Sequence, residues 1–556
     1  MIVIIKIDFI KIQVLFILIY KKYEHIMIYS NIAPSSMVVT PHHLATESAL
    51  AILREGGNAI EAMISAAATI SVVYPHMSGL GGDGFWLILL PTDCKPIAID
   101  ASGASGSLAC INYYHGNSHI PYRGNKSAIT VAGTVSGWIE ALQISKEIVH
   151  KKSIPLSRLL RDAIQYATDG IPVTVSQVSA IKSKLHELVS LPGFAATFIP
   201  DGNIPCPGDR FIQKDLANTL KQLAEEGLDS FYRGNFSQKL IKNIKKIGIP
   251  LTIQDLQTHY ARCSDPLHLK HSQGDIWNMA PPTQGIVSLA ILSIIDNLDM
   301  VHANEIQTIH RIVEATKEAF AVRDKYIIDN QYMTENLQKL LLSNYMKNIA
   351  KKISDQFATS VNTMCKSGDT VWMGIIDKTG MAISFIQSIY HEFGSGVVIP
   401  ETGIIWHNRG ASFNLRHNNL LTLAPRKKPF HTLNPALACL KDGRVLVYGS
   451  MGGDGQPQTQ AAIFNRYVIQ KMSLQEAISA PRWLIGRHWG KSSNTLKLEG
   501  RFTTGTIDIL RKLGHSIEIL PNFSELVGHA GAIVRHVNGM IEGAYDPRSN
   551  GSAAGF

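Results

Sequence analysis

An α+β sandwich, with sheets packed together and helices outside, is the fold class this sequence predicts. Three observations carry the prediction. Two helix-forming segments stand near the start of the patterned chain, residues 140–350 read as mainly helical, and after Lys366 the texture changes to short β-runs with glycine turns. Helices and strands that segregate along a chain favour separate layers over the strict alternation of a parallel α/β sheet. The 556 residues, 45% hydrophobic and 17% charged, suffice for several hundred residues of packed core. No repeat, low-complexity linker or disordered-looking tail appears.

The elements follow in order from residue 40, "TPHHLATESALAILREGGNAIEAMISAAATISVVYPHMSGLGGDGFWLILL". Ala45, Ala49, Ile52 and Leu53 fall at i, i+4, i+7 and i+8, one face of a helix that Gly56-Gly57 ends. A second, alanine-rich helix from about Ala59 to Val73 has side chains small enough for close burial against a sheet, and Pro75 stops it. "SGLGGDG" (78–84) then turns into the buried strand "FWLILL". Its glycines lead into a strand and match neither the P-loop nor the dinucleotide spacing, so close backbone packing is their reading. Turns follow at "GDR" (208–210) and "APPTQG" (280–285), and "IHRIVEATKEAFAVRDKY" (309–326) has one apolar helical face. The β-runs are "TVWMGIID", "AISFIQSIY", "SGVVIP", "GIIWHN" and "PALACL…RVLVYGS"; the helix "TQAAIFNRYVIQKM" follows the turn "GSMGGDGQPQ".

Bulk properties exclude several classes. The net charge of +9 is dispersed, with no basic stripe or binding motif for nucleic acid, and is in keeping with small anionic substrates. Six cysteines (94, 110, 206, 263, 365, 439) lack any CxxC pattern and imply buried or half-buried free thiols in a reducing compartment. No histidine–acid set has metal-ligand spacing, so neither metal nor cofactor is expected. The opening "MIVIIKIDFIKIQVLFILIYKKYEHIMIYS" is broken by Lys6, Asp8 and Lys11; its run Ile12–Tyr20 is too short to span a bilayer, and no small-residue cleavage site follows. The expectation is a non-core extension over residues 1–36, a start near Met27 or Met37, no stable membrane insertion, and a cytoplasmic location with export disfavoured.

"KSGDTVWMGIID" (366–377) poses the chemical question. Thr370 follows Gly368-Asp369 with no histidine or lysine placed to activate it, and taken locally it is an ordinary β-branched strand residue. The wider chain changes that. "ILREGGNAIEA", "SGLGGDGF", "GDTVWMGIIDKTGMAISFIQS", "FGSGVVIPETGIIWHNRG", "KPFHTLNPAL", "GSMGGDGQPQ" and "DPRSNGSAAGF" resemble the γ-glutamyltranspeptidase family, in order and spacing, from about residue 37. The resemblance implies an N-terminal nucleophile hydrolase, an αββα four-layer sandwich that cuts itself between Asp369 and Thr370. Residues 37–369 would become the large subunit and 370–556 the small one, remaining associated. Cleavage would turn the Thr370 amide into a free α-amine with a pKa near 8, so the nucleophile carries its own base. By position, Gly452 and Gly453 would form the oxyanion hole, each donor worth about 3 kcal/mol, and Ser388 would steady the nucleophile.

The sequence departs from the family where glutathione enzymes grip an amino acid. Ser102 stands in place of the carboxylate-binding arginine, Ser412 in place of the amine-binding aspartate, His431-Thr432 in place of paired serines, and Tyr390 in place of an asparagine. Losing both charged contacts costs several kcal/mol of zwitterion recognition, on the order of 3 or more. "QSIYHEFGSGVV", "NRGASF", "FHTLNPAL" and "GSMGGDGQPQTQ" resemble the oxamate amidohydrolase branch, which serves purine-nitrogen recovery. The expected substrate is oxamate or a similar small anionic amide, its carboxylate held bidentately by Arg409, with Arg123, Arg482 and Arg548 as weaker candidates. His431, Thr432, Tyr390 and Ser412 are the other expected substrate contacts. A glutathione hydrolase or γ-glutamyltransferase, and an uncleaved non-catalytic binding relative, are the alternatives; the oligomeric state stays open.

Overall fold

The computed structural model describes residues 29–148, 153–342, 344–360, 368–486 and 494–556. Two seven-stranded sheets face each other. In the first, the order is Ser552–Gly555, Met37–Thr40, Asp369–Ile376, Ala382–Tyr390, Asp83–Leu89, Ile97–Ala101, Arg262–Ser264. In the second it is Asn31–Ala33, Ile541–Tyr545, Ala530–Arg535, Val445–Ser450, Ala436–Leu440, Gly274–Asn278, Leu267–His271. Every pairing within these two sheets is antiparallel.

Strand alternation builds three apolar layers. Phe85, Leu87, Trp372, Ile386, Leu437, Val447 and Ile533 fill the space between the sheets. Trp86, Val371, Met373 and Phe385 point the other way, under helices Ala59–Val73 and Thr134–Ile148. Ile276, Ala438, Leu446 and Tyr448 lie under helices Gly285–Ile295 and Gly455–Phe464, on which Glu305–Tyr326 packs in turn. The result is the predicted αββα sandwich. Trp372 fits between the sheets because Gly449 and Gly531 face it; a Cβ on Gly449 would lie 2.1 Å from the indole.

The alanine-rich helix is buried along its whole length, as its small side chains require. Asn58 and Glu61 form a reciprocal cap at its start, and Asp377, at the far end of the Thr370 strand, accepts the Ala59 N–H at 2.9 Å. Helix and strand are thereby locked in register.

Several expectations need correction. Asn31–Ala33 pairs with Ile541–Tyr545, and the Ser35 and Ser36 N–H groups donate to the Phe556 carbonyl, so the folded unit begins before residue 37. Residues 1–28, including Met27, lie outside the described residues. The region 140–350 holds three strands between Arg262 and Asn278, two of them an edge of the second sheet; the buried Leu267 and Leu269 alternate with polar residues in a period of two that His and Lys disguise. The helix after residue 455 becomes a π-turn at Asn465–Ile469. Cys94, Cys110, Cys206 and Cys263 are exposed rather than buried, Cys439 is half-buried, and Cys365 lies outside the described residues. Among the described residues no helix is long and apolar enough to cross a membrane.

Candidate active site

Thr370 enters the site through a break in the ladder. Asp369 pairs with Tyr390 but Val371 with Gln387, so the register shifts across Thr370. Such a bulge re-aims a side chain. The buried Thr370 hydroxyl meets the Gln456 amide, Nε2 donating to Oγ1 at 3.5 Å. Ser388 lies on the adjacent strand; its Oγ accepts the Tyr390 N–H at 2.8 Å.

The turn after strand Val445–Ser450 brings in Gly452 and Gly453, with φ of 115° and 50°, conformations that favour glycine. Both are buried, and neither N–H has an acceptor among the described residues. The loop is held from behind: Gln284 Nε2 donates to the Gly453 carbonyl at 2.8 Å, and Arg323 pairs with Asp454 at 2.7 Å. Two free, rigidly held N–H groups can bind an oxyanion.

Arg409 is the group most out of keeping with a structural role. It is 1% exposed and forms no ion pair among the described residues. Its Nε has no hydrogen-bond partner, Nη1 reaches Thr432 Oγ1 only at 3.5 Å, and its guanidinium lies 3.7 Å from the Tyr390 ring centroid. Burial pushes its pKa down to about 10. Tyr390 itself holds φ at 81°, a strained value for a non-glycine residue. A Cβ on Gly368 would come within 2.9 Å of the Tyr390 ring and 3.2 Å of Thr432 Oγ1. The chain just before Thr370 therefore lies against the same two side chains that touch Arg409.

A feature absent from the sequence reading lies beside these groups. Asp83, within the glycine-rich "SGLGGDG", is buried and accepts N–H bonds from Gly103 (3.1 Å) and Gly133 (3.2 Å). Its other oxygen faces His431 Nε2 at 3.0 Å and His407 Nδ1 at 3.2 Å. Burial pushes Asp83 upward, but the two imidazoles outweigh it and hold the carboxyl well below its usual range. Burial, with the Arg409 charge, pushes His431 down to about 4, so it is neutral at pH 7. The glycines do pack closely; the aspartate among them is a buried charge that a composition of small residues conceals.

The other expected contacts are engaged elsewhere. Ser102 Oγ donates to Asp100 at 2.5 Å, and Asp100 pairs with Lys428 at 2.8 Å. Ser412 Oγ donates to the Arg409 and Phe430 carbonyls at 2.9 and 3.2 Å, fixing the short turn that presents Arg409. Arg123 binds Glu187 and the carbonyls of Glu392 and Gly394. Arg482 pairs with Asp546, and Arg548 with Glu499 and Asp546.

His310, Glu314 and His515 do come together, correcting the expectation that no such trio exists. They bind one another and their surroundings: His310 Nδ1 and His515 Nε2 are 2.8 Å apart, and the Lys317 ammonium sits 2.6 Å from Glu314. That ammonium already neutralises the carboxylate of the trio. A cleft of about 780 Å³ opens between Asp100, Arg262, Pro282, Asp329, Arg426 and Lys428. Thr370 and Arg409 are not among its walls.

The gamma-glutamyltranspeptidase family model matches residues 45–556. The oxamate amidohydrolase proenzyme of Klebsiella pneumoniae is 60% identical over 527 residues, 95% of this chain and 99% of that protein. The glutathione hydrolase-like YwrD proenzyme of Bacillus subtilis is 38% identical over 95% of this chain and 99% of its own. The crystal structure of cephalosporin acylase from Bacillus halodurans superposes with a TM-score of 0.86 at 30% identity, covering 95% of this chain and 97% of that one. The chain belongs to the gamma-glutamyltranspeptidase family, with its N-terminal nucleophile hydrolase fold, and is a hydrolase of amide C–N bonds.

Proposed function

We propose that this chain cuts itself between Asp369 and Thr370 and then hydrolyses a small anionic amide, oxamate, to oxalate and ammonia. The observation that carries the substrate class is Arg409, a buried guanidinium that forms no ion pair with a carboxylate among the described residues. A buried charge left unpaired is costly, and a substrate carboxylate is the partner it lacks. The high identity to a protein named for oxamate supports the specific choice.

In self-cleavage, Thr370 Oγ attacks the Asp369 carbonyl carbon, the acyl group moves from nitrogen to oxygen, and water hydrolyses the ester. The large fragment gains a carboxylate and Thr370 a free α-amine. In turnover the α-amine takes the hydroxyl proton as Oγ attacks the amide carbon, and the Gly452 and Gly453 N–H groups hold the oxyanion. The same proton passes to the departing nitrogen, and ammonia leaves an oxalyl ester on Thr370. Water, deprotonated by the amine, then releases oxalate. Arg409 holds the distal carboxylate against the Tyr390 ring throughout, beside Thr432 and neutral His431. The two fragments stay associated, because Asp369–Ile376 and its neighbours Met37–Thr40 and Ala382–Tyr390 belong to one sheet.

Ammonia release from oxamate, set against release of a chromophore from a γ-glutamyl anilide, tests the proposal. Oxamate should be turned over and the anilide not. Turnover of the anilide alone would replace the proposal with a γ-glutamyl hydrolase.

A further inference from the structure

We infer that Gln456, held by Asn434, is a positioning residue that sets the direction of the Thr370 hydroxyl proton. The inference rests on Thr370 being the nucleophile, and it assigns a role to a residue that the family resemblance leaves without one.

The hydrogen-bond pattern fixes the Gln456 amide unambiguously. The backbone N–H of Asn434 can only donate, and it lies 3.2 Å from Gln456 Oε1. Asn434 Nδ2 reaches the same oxygen at 3.2 Å and also donates to the Thr432 carbonyl at 2.8 Å, which fixes the Asn434 amide in turn. With Oε1 engaged by two donors, the NH₂ end of Gln456 must face Thr370 Oγ1, where it stands at 3.5 Å. Gln456, Asn434 and Thr370 are all buried. Gln460 Nε2 donates to the Asn434 carbonyl, extending the same polar row along helix Gly455–Phe464.

The consequence is a constraint on a rotor. A threonine hydroxyl has one proton and two lone pairs. When Gln456 donates to one lone pair, the Oγ–H bond cannot point at Gln456 and is left to point at an acceptor elsewhere. After cleavage the acceptor within the same residue is the α-amine, the base of the reaction. Gln456 thus favours the hydroxyl rotamer from which proton transfer starts. It also donates to Oγ as that atom regains charge on leaving the acyl-enzyme.

Gln456→Glu tests this with minimal change of shape. The carboxylate still accepts both Asn434 N–H groups, but it turns the last donor into an acceptor that attracts the hydroxyl proton. Its charge beside the α-amine also raises the pKa of that base. Self-cleavage and kcat on oxamate should fall about tenfold or more, while KM changes less than about threefold, as for an interaction made with the reacting atom. The acid limb of kcat/KM should move to higher pH. Gln456→Met, of similar volume without a donor, should lower kcat and leave the limb in place. A purely structural role would lower thermal stability and leave kcat per folded molecule and the pH profile unmoved. Wild-type processing and an unshifted profile in Gln456→Glu would overturn the inference. If Thr370→Ala kept its activity, the nucleophile assignment would fall first. An inactive Thr370→Ala beside a fully active Gln456→Glu would remove the Gln456 role alone.

Discussion

Replacing Arg409 by methionine should weaken the enzyme's activity and strengthen its fold, and both magnitudes follow from the site. The guanidinium is 1% exposed with no carboxylate partner among the described residues, and burial pushes its pKa down to about 10. At 1.36 kcal/mol per pH unit, that lowering is about 3 kcal/mol against the charged form. Methionine fills much of the same volume without a charge, so part of this energy is recovered, offset by the lost stacking on Tyr390 at 3.7 Å. A net gain of about 1 kcal/mol would raise the unfolding midpoint by one to a few degrees. For catalysis, removing one partner of a buried carboxylate pair costs about 2–5 kcal/mol. At about 3 kcal/mol, kcat/KM on oxamate falls roughly 150-fold. Oxamide, a neutral amide of the same size, loses no ionic contact, so its kcat/KM should change less than about threefold. The assay pairs a thermal melt with ammonia release from the two amides. An Arg409→Met protein that melts lower and keeps its activity on oxamate would refute the reasoning.

Other perturbations give equally definite results. Gly368→Ala places a methyl within 2.9 Å of the Tyr390 ring and 3.2 Å of Thr432 Oγ1, so the precursor band should persist about tenfold longer on a denaturing gel. An unchanged processing rate would mean that this contact does not govern cleavage. His259 is pushed down to about 3 by burial, against 6.5 when unfolded. Between those values only the unfolded state binds its proton, so stability falls on acidification by about 1.4 kcal/mol per pH unit. His259→Asn should reduce the loss of thermal stability between pH 6.5 and 5, and parallel curves for the two proteins would contradict this assignment.

Much of this was legible in the sequence, and the failures have physical reasons. The two early helices obey local rules, apolar spacing and glycine or proline stops, and the structure has them at His43–Arg54 and Ala59–Val73. The strands around Thr370 carry β-branched and aromatic residues and were equally plain. Strand Leu267–His271 is hidden because only alternate residues are apolar and histidine and lysine fill the rest, and Gly274–Asn278 because its two apolar residues, Ile276 and Trp277, stand among glycine, aspartate and asparagine. Arg409 was found through the motif around it, yet its missing partner is visible only in three dimensions. Asp83 and His407 went unread because the residues that meet at Asp83 come from positions 83, 103, 133, 407 and 431. Gln456 escaped for a similar reason: a glutamine in a glycine-rich turn looks like a helix start until Asn434 fixes its amide.

The central claim is that Thr370 becomes the N-terminal residue of a separate fragment and that activity depends on it. Intact-mass and N-terminal analysis of the purified protein, wild type beside Thr370→Ala, tests this most directly. The wild type should yield a fragment beginning TVWMGIID, and Thr370→Ala should remain one chain without amidase activity. A fully active single chain, or a fragment beginning at another residue, would contradict it.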